Sequence, residues 1–349
     1  MSELPARPDL DQLRRQAKEL LRAAKTGEPA ASAQLAAVTQ QPTLSAAQLV
    51  IARTYGFASW AKLKTEIDRR DILNQRDVAR LAALLTEHPE QASQGMHSWS
   101  DHQRGASPLG YIAMLRFDAP RLGLTGPMPG TGAIARALIE AGAPVDGEPG
   151  DPETPLITAA SYGDAEVAEV VIEAGADLEA TAAPYAGGVP GGTALLHAAV
   201  FGMTAVLDLL LAAGARVTNL SEAAAAGDLS GWLRPDTPLL DRVRALAMAA
   251  DHQRLTVIDQ LLDAGTPIDA EDRQYRRQAL RLAVTRCRVD SVAHLLCRGA
   301  DPCLRDPIEQ RTALQWCRHA RDELGDNHEA GSVYDQIEAL LTAATSQQE

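Results

Sequence analysis

Apolar residues recur at helical spacing along most of the chain, in short stretches that end at a glycine followed by a small residue. The five glycines are spaced by 33, 39, 51 and 34 residues, and they are Gly142, Gly175, Gly214, Gly265 and Gly299. A second signature, Thr-Pro-Leu or a variant of it, begins at Ser107, Thr154, Thr193, Gln278 and Thr312. The second signature is typical of a capped helix start, and the glycine is typical of a helix end. The pattern therefore predicts repeated pairs of helices.

These signatures resemble the ankyrin repeat, which has a period of 33 residues and runs Thr-Pro-Leu-His before two alanines and a helix ending in Gly-Ala-Asp. The resemblance covers roughly residues 71–343. It implies an all-α fold, an ankyrin-repeat solenoid of stacked helix pairs with short hairpin loops. Each pair in such a solenoid buries its apolar face against its neighbours.

The first 70 residues follow a different pattern, with helical stretches and the motif Tyr-Gly-Phe-Ala-Ser-Trp. They resemble the small helical module at the start of many bacterial ankyrin-repeat proteins, which implies a bacterial source. We therefore expect an N-terminal module over residues 1–70 and a solenoid of about seven units, some degenerate, over residues 71–349. The irregular spacings also predict a truncated unit from Leu220 to Leu233 and insertions at 117–132, 180–192 and 325–331.

The composition excludes several classes of protein. Apolar residues make up 46% of the chain and aromatic residues only 4%, which favours helices packed through small side chains over a β-sandwich or barrel. The four cysteines form no CxxC pair, no segment resembles a signal peptide, and no apolar stretch reaches the length of a membrane span. We therefore expect a cytoplasmic protein without membrane contact.

No motif in the sequence predicts catalysis. The string Gly130-Thr131-Gly132 opens a helix, but the dinucleotide-binding fingerprint needs a strand before it, and the breakers ahead of Gly130 exclude one. The last repeats hold five metal-ligating side chains at spacings that match no zinc motif: His294, Cys297, Cys303, Cys317 and His319. We expect no catalytic residue, no metal, no cofactor and no small-molecule substrate.

The resemblance to ankyrin repeats implies a non-catalytic scaffold that binds a partner protein through its concave face. The positions that face this groove hold Tyr162, Phe201 and His252, an aromatic series typical of binding hot spots. The alternative for these side chains is packing between repeats.

Charge is distributed unevenly around the net value of −13. Residues 137–215 contain twelve acids and no lysine or arginine, which predicts a partner with a basic segment. We expect this segment to dock against the hairpin of Asp151 and Glu153 and the loop of Tyr185, with Tyr162 and Phe201 as apolar anchors.

Arginines concentrate towards the end of the chain, where residues 273–321 contain eleven arginines and four acids. If Arg277, Arg286 and Arg311 line the groove, they predict contact with an acidic partner or with RNA. The alternative is that these arginines form ion pairs within the protein.

The alternative function is nucleic-acid binding or regulation through the N-terminal module, which holds 11 basic and 7 acidic residues. Its candidate phosphate contacts are Arg53, Lys62, Lys64, Arg69 and Arg70. The negative charge of the whole chain disfavours nucleic acid as a partner. We expect instead that the aromatic residues of the module dock it on the first repeat as a cap: Tyr55, Phe57 and Trp60.

Overall fold

The computed structural model describes residues 4–96, 107–323 and 328–346. These residues form eighteen α-helices, one 3₁₀ turn, one hairpin with two residues in each strand and one isolated bridge. The chain divides into two compact units, Met1–Asp177 and Leu178–Glu349. The predicted all-α fold is confirmed.

Unit 1 contains nine of the helices and the 3₁₀ turn. They are α1 Leu10–Lys25, α2 Pro29–Ala36, α3 Leu44–Thr54, α4 Trp60–Gln75, α5 Val78–Glu87, the turn Pro89–Ala92, α6 Pro108–Leu122, α7 Thr131–Glu140, α8 Pro155–Tyr162 and α9 Ala165–Glu173. Helix α6 packs on α8, while α5, α7 and α9 form a second row. The pairs α6–α7 and α8–α9 are thus stacked side by side.

Unit 2 contains the other nine helices and the strand hairpin. They are α10 Ala194–Phe201, α11 Thr204–Ala212, α12 Leu220–Ala226, α13 Leu239–Asp251, α14 Leu255–Asp263, β1 Glu271–Asp272, β2 Arg277–Gln278, α15 Ala279–Thr285, α16 Val289–Cys297, α17 Ala313–Glu323 and α18 His328–Ser346. Helices α10, α12, α13, α15 and α17 pack in one row, and α14, α16 and α18 in the other. The antiparallel strands pair Glu271 with Gln278.

The predicted start and stop signals of the helices are confirmed. Thr154 and Thr193 each accept a hydrogen bond from the backbone N–H three residues ahead, which caps the first helix of a pair. The second helices end at left-handed glycines such as Gly142 and Gly299, whose φ angles are 98° and 92°. A side chain is rarely tolerated in this conformation, which explains the recurrent glycine.

The predicted boundaries differ from the observed ones in two places. Helix α4 continues through residue 70 to Gln75, so the predicted end of the N-terminal module lies inside a helix. The predicted insertion 117–132 is helical up to Leu122, because α6 continues to a left-handed end at Gly123. The loop itself is confined to residues 123–130.

The other irregular segments are a closed loop, a unit with a single helix and the start of the last helix. Residues 180–192 form a loop that is closed by the bridge between Thr181 and Thr193. The truncated unit keeps its first helix, α12, and the chain then reaches α13 without a second helix. Of the predicted insertion 325–331, residues 325–327 lie outside the described residues and the remainder begins α18.

A buried group of three charges connects α4 to the segment after α5. Glu66, Arg69 and Arg70 are 5%, 1% and 2% exposed. Arg69 Nη2 lies 2.5 Å from one carboxylate oxygen of Glu66, and Arg70 Nε lies 2.9 Å from the other. Arg69 also donates to the backbone oxygens of Gln91 and Gln94. Two of the five cations predicted to contact phosphates are therefore inaccessible, and that part of the nucleic-acid interpretation is wrong.

The aromatic side chains of the N-terminal segment lie in its own core. Tyr55, Phe57 and Trp60 pack against a cluster of buried residues that includes Leu13 and Leu63, contributed by α1, α3 and α4. This packing favours a role within the N-terminal helices over the predicted docking on the first repeat.

We predict that Glu66→Gln lowers the free energy of unfolding by about 3 kcal/mol, because it removes the charged carboxylate that pairs with two buried guanidinium groups. Urea denaturation followed by circular dichroism measures this loss. The exposed Glu19, which lies on α1, provides the control. Glu19→Gln should change the free energy by less than about 0.5 kcal/mol, and equal losses in the two variants would contradict the role of the buried group.

Candidate functional site

The acidic residues of the hairpins hold consecutive helix pairs together. In three places a carboxylate that lies four residues after a helix-ending glycine accepts the backbone N–H that lies two residues after the next such glycine. The bonds run from Asp177 N to Asp146 Oδ1 at 2.9 Å, from Arg216 N to Glu179 Oε1 at 2.9 Å, and from Asp301 N to Asp269 Oδ1 at 3.2 Å. These acids therefore serve the stack of helix pairs.

The string Gly130-Thr131-Gly132 binds a carboxylate of the protein itself. Glu166 Oε2 accepts the backbone N–H groups of Gly130 and Gly132 at 2.8 and 3.3 Å. The hydroxyl of Thr131 donates to Asp164 at 2.9 Å. A helix N-terminus attracts an anion, and at α7 that anion comes from the neighbouring helix α9. The string is a packing motif between two helix pairs.

Arginines outside the acidic span pair with five of its twelve acids. Four arginines outside residues 137–215 form these ion pairs. The pairs are Arg116 with Asp164 and Glu166, Arg136 with Glu173, Arg216 with Glu179, and Arg254 with Asp208. The predicted basic segment therefore has fewer acids available to it than the sequence count indicates, and the hairpin that carries Asp151 and Glu153 stays the predicted place of contact.

The two predicted acids of that hairpin have different surroundings. Asp151 Oδ2 accepts the backbone N–H of Glu148 at 2.9 Å, which closes the turn. Glu153 is half-buried; burial raises the pKa of its carboxyl, and a hydrogen bond with Thr158 opposes the shift. Thr158 lies one turn before Tyr162 on α8, and Glu153 lies in the loop directly before that helix.

Tyr162 forms an aromatic pair that the sequence did not predict. Its ring stacks on that of Phe117, with centroids 4.6 Å apart and planes inclined by 28°. Phe117 is 57% exposed. The predicted insertion 117–132 includes Phe117. However, Phe117 lies four residues after the buried Ala113, and this helical spacing indicates that α6 continues to it. The structure thus places a stacked aromatic pair with one exposed ring on unit 1, the unit that also carries the Glu153 hairpin.

The predicted aromatic residues of unit 2 differ in accessibility. Tyr185 is 72% exposed at the tip of its loop. Phe201 is half-buried, with its ring 6.0 Å from that of His197 and close to Gly188. Tyr185 can therefore contact a partner freely, whereas Phe201 offers only part of its ring.

His252 was predicted to contact the partner, and this prediction is wrong. The residue is 2% exposed. Its Nε2 is hydrogen-bonded to Ala199 O and its Nδ1 to Thr204 Oγ1, both at 2.9 Å. Burial lowers the pKa of the ring, which favours the neutral form. His252 thus links α13 to α10 and α11.

The three arginines predicted to line the groove are engaged within unit 2. Arg277 donates to Val200 O at 3.0 Å, Arg286 Nε lies 4.0 Å from the buried Asp251, and Arg311 pairs with Glu309 at 3.0 Å and lies over the ring of Trp316. Burial lowers the pKa of Arg277. The alternative of internal pairing therefore describes these residues better than a free cationic groove.

Comparison with known proteins identifies the helix pairs. Residues 130–221 match the family model "Ankyrin repeats (3 copies)". The helix pairs of this segment are therefore similar to ankyrin repeats. Among solved structures, the chain is similar to the human ASB11 ankyrin repeat domain, with 19% identity over 66% of this chain and 97% of that chain and a TM-score of 0.32. No curated protein matches the chain.

Two of the five candidate metal ligands in unit 2 have partners within the protein. His294 is bonded to Asp259 at 2.8 Å, and the buried Cys317 thiol donates to Tyr334 O at 3.5 Å. Within residues 4–96, 107–323 and 328–346, no three His, Cys, Asp or Glu side chains are grouped to hold a metal ion. In the same part of the chain no helix has both the length and the apolar character of a membrane span.

We predict that Gly132→Ala destabilises the ankyrin stack by about 2 kcal/mol through overpacking. A Cβ at this position would lie 2.8 Å from the backbone oxygen of Glu166 on the adjacent repeat. Gly331→Ala on α18 is the matched control, because its Cβ would meet nothing within 4 Å. The control should gain up to about 1 kcal/mol from helix propensity. Thermal unfolding measures both, and a stabilised Gly132→Ala variant would contradict the close approach.

Proposed function

We propose that this protein is a non-catalytic protein-interaction module and that its unit 1 binds a basic segment of a partner protein. The observation that carries the proposal is the exposed Phe117 ring stacked on Tyr162 at 4.6 Å. Ankyrin repeats generally serve protein binding, and repeat solenoids use their extended surfaces for it.

The chemistry of this surface favours a cationic side chain. Lysine and arginine are attracted to the faces of aromatic rings, and arginine stacks on them. Glu153 is hydrogen-bonded to Thr158, one turn before Tyr162 on α8, and the exposed Glu148 adds negative charge to the hairpin. An aromatic pair next to acids is suited to a peptide that alternates basic and apolar residues.

The proposed binding site on unit 1 does not require the residues of unit 2 that were predicted to contact the partner. Tyr185 and Phe201 remain candidate contacts for the partner, but binding at the Phe117–Tyr162 pair does not depend on them. The four cysteines are free, which is consistent with the proposed cytoplasmic location. The proposed bacterial source rests only on the resemblance of the N-terminal module.

Nucleic-acid binding through the N-terminal module is the less favoured function. Arg69 and Arg70 are buried in ion pairs with Glu66, which leaves only Arg53, Lys62 and Lys64 of the predicted phosphate contacts. Since protein–DNA affinity depends on the number of phosphates neutralised, three cations on a chain of net charge −13 support only weak binding.

A direct test uses the full chain and a short fluorescein-labelled peptide of alternating lysine and leucine, followed by fluorescence anisotropy. Phe117→Ala should raise the Kd about tenfold, because cation–π and apolar contacts are lost together. Glu153→Gln should raise it by a smaller factor. The control variant is Leu44→Ala, which removes an exposed apolar side chain elsewhere on unit 1 and should leave the Kd unchanged. Equal binding by wild type and Phe117→Ala would contradict this site, as would failure of the peptide to bind.

A further inference from the structure

A cleft in unit 2 lies between the β1–β2 hairpin and the loop that follows α16. Its volume is about 690 Å³, which falls in the range of binding pockets. Apolar walls come from Leu280, Ala313 and Trp316. A smaller pocket of about 360 Å³ adjoins it and shares Trp316 and Arg276. The cleft is therefore large enough for several side chains of a ligand.

The acids that line the cleft are engaged within the protein. Glu271 pairs with Arg281 at 2.5 Å. Asp269 accepts the backbone N–H of Asp301 at 3.2 Å. Burial alone would raise the pKa of Asp306, but backbone N–H donors and the Trp316 indole lower it to about 2. These carboxylates are thus already bound to donors of unit 2.

Three arginines of the cleft have no carboxylate partner among the described residues. Arg273 and Arg276 are exposed, and neither guanidinium forms a hydrogen bond within the described part of the chain. Among residues 4–96, 107–323 and 328–346, the acceptors of Arg305 are Gln310 O at 2.6 Å and the Gln315 amide oxygen at 3.5 Å. The charge that the cleft offers to a ligand is therefore positive.

Large apolar side chains surround these arginines. Tyr275, Leu304 and Ile308 are 57%, 44% and 62% exposed, and Leu304 and Ile308 line the cleft itself. Three exposed large apolar residues around one cleft mark an interaction site more strongly than single exposed residues do. A ligand that matches this surface must carry both negative charge and apolar groups.

We propose that this cleft binds an acidic peptide segment with bulky apolar side chains, supplied by a partner protein. Arginine forms bidentate hydrogen bonds with carboxylates, and the pocket beside Trp316 receives the apolar side chains. A polyanion such as RNA fits less well, since residues 71–349 carry 39 acids against 22 basic residues. The proposal rests on the protein being a protein-interaction module, but it concerns a different surface and the opposite charge from the Phe117–Tyr162 site.

The test uses the full chain and a short labelled peptide of alternating glutamate and leucine. The triple variant Arg273→Gln, Arg276→Gln and Arg305→Gln should raise its Kd at least about tenfold, because three exposed charge contacts are lost. Arg234→Gln is the control, since Arg234 is an exposed arginine of unit 2 that does not line the cleft. It should leave the Kd unchanged.

This experiment tests the two proposed binding surfaces independently of each other. The triple variant should still bind the lysine–leucine peptide, and Phe117→Ala should still bind the glutamate–leucine peptide. An unchanged Kd for the acidic peptide in the triple variant would overturn the cleft as its site. Tighter binding of a single-stranded RNA oligonucleotide than of the acidic peptide, lost in the triple variant, would overturn the proposed ligand class.

Discussion

Hydrogen bonds from one helix pair to the next determine the register of the stack. A single pair of helices cannot bury its apolar face alone, so every repeat depends on its neighbour. Apolar packing is not directional, whereas a carboxylate that accepts a backbone N–H fixes one position. The bonds at Asp146, Glu179 and Asp269 recur at the same place in the repeat, and they explain why acids recur after the helix-ending glycines.

This use of charge limits what the surface can offer to a partner. The acids at the bases of the hairpins and at the starts of second helices are taken by backbone N–H groups and arginines, as Glu166 and Asp164 illustrate. Net charge along the sequence is therefore a poor guide to binding in this protein. The candidate surfaces are instead the places where exposed rings or apolar side chains occur on the same unit as exposed charges, around Phe117 in unit 1 and around Arg305 in unit 2.

The parts of the structure that depend on neighbouring residues in sequence were predictable, and those that depend on distant residues were not. Caps such as Thr154 and stop glycines act within one helical turn, so their pattern is visible in the chain. The burial of Arg69 depends on backbone oxygens more than twenty residues away, and that of His252 depends on Ala199, 53 residues away. Phe117 was not predicted to be helical, because α6 continues to Leu122, beyond the usual length of the first helix in a repeat.

Amide hydrogen exchange at Arg216 tests the central claim most directly. Arg216 is exposed, yet its N–H is bonded to Glu179 of the preceding repeat at 2.9 Å. Relative to its intrinsic rate, this N–H should exchange at least about tenfold more slowly than that of the exposed Gly187, and Glu179→Ala should abolish the difference. Equal protection at the two positions in the wild-type protein would show that hairpin carboxylates do not hold the repeats in register.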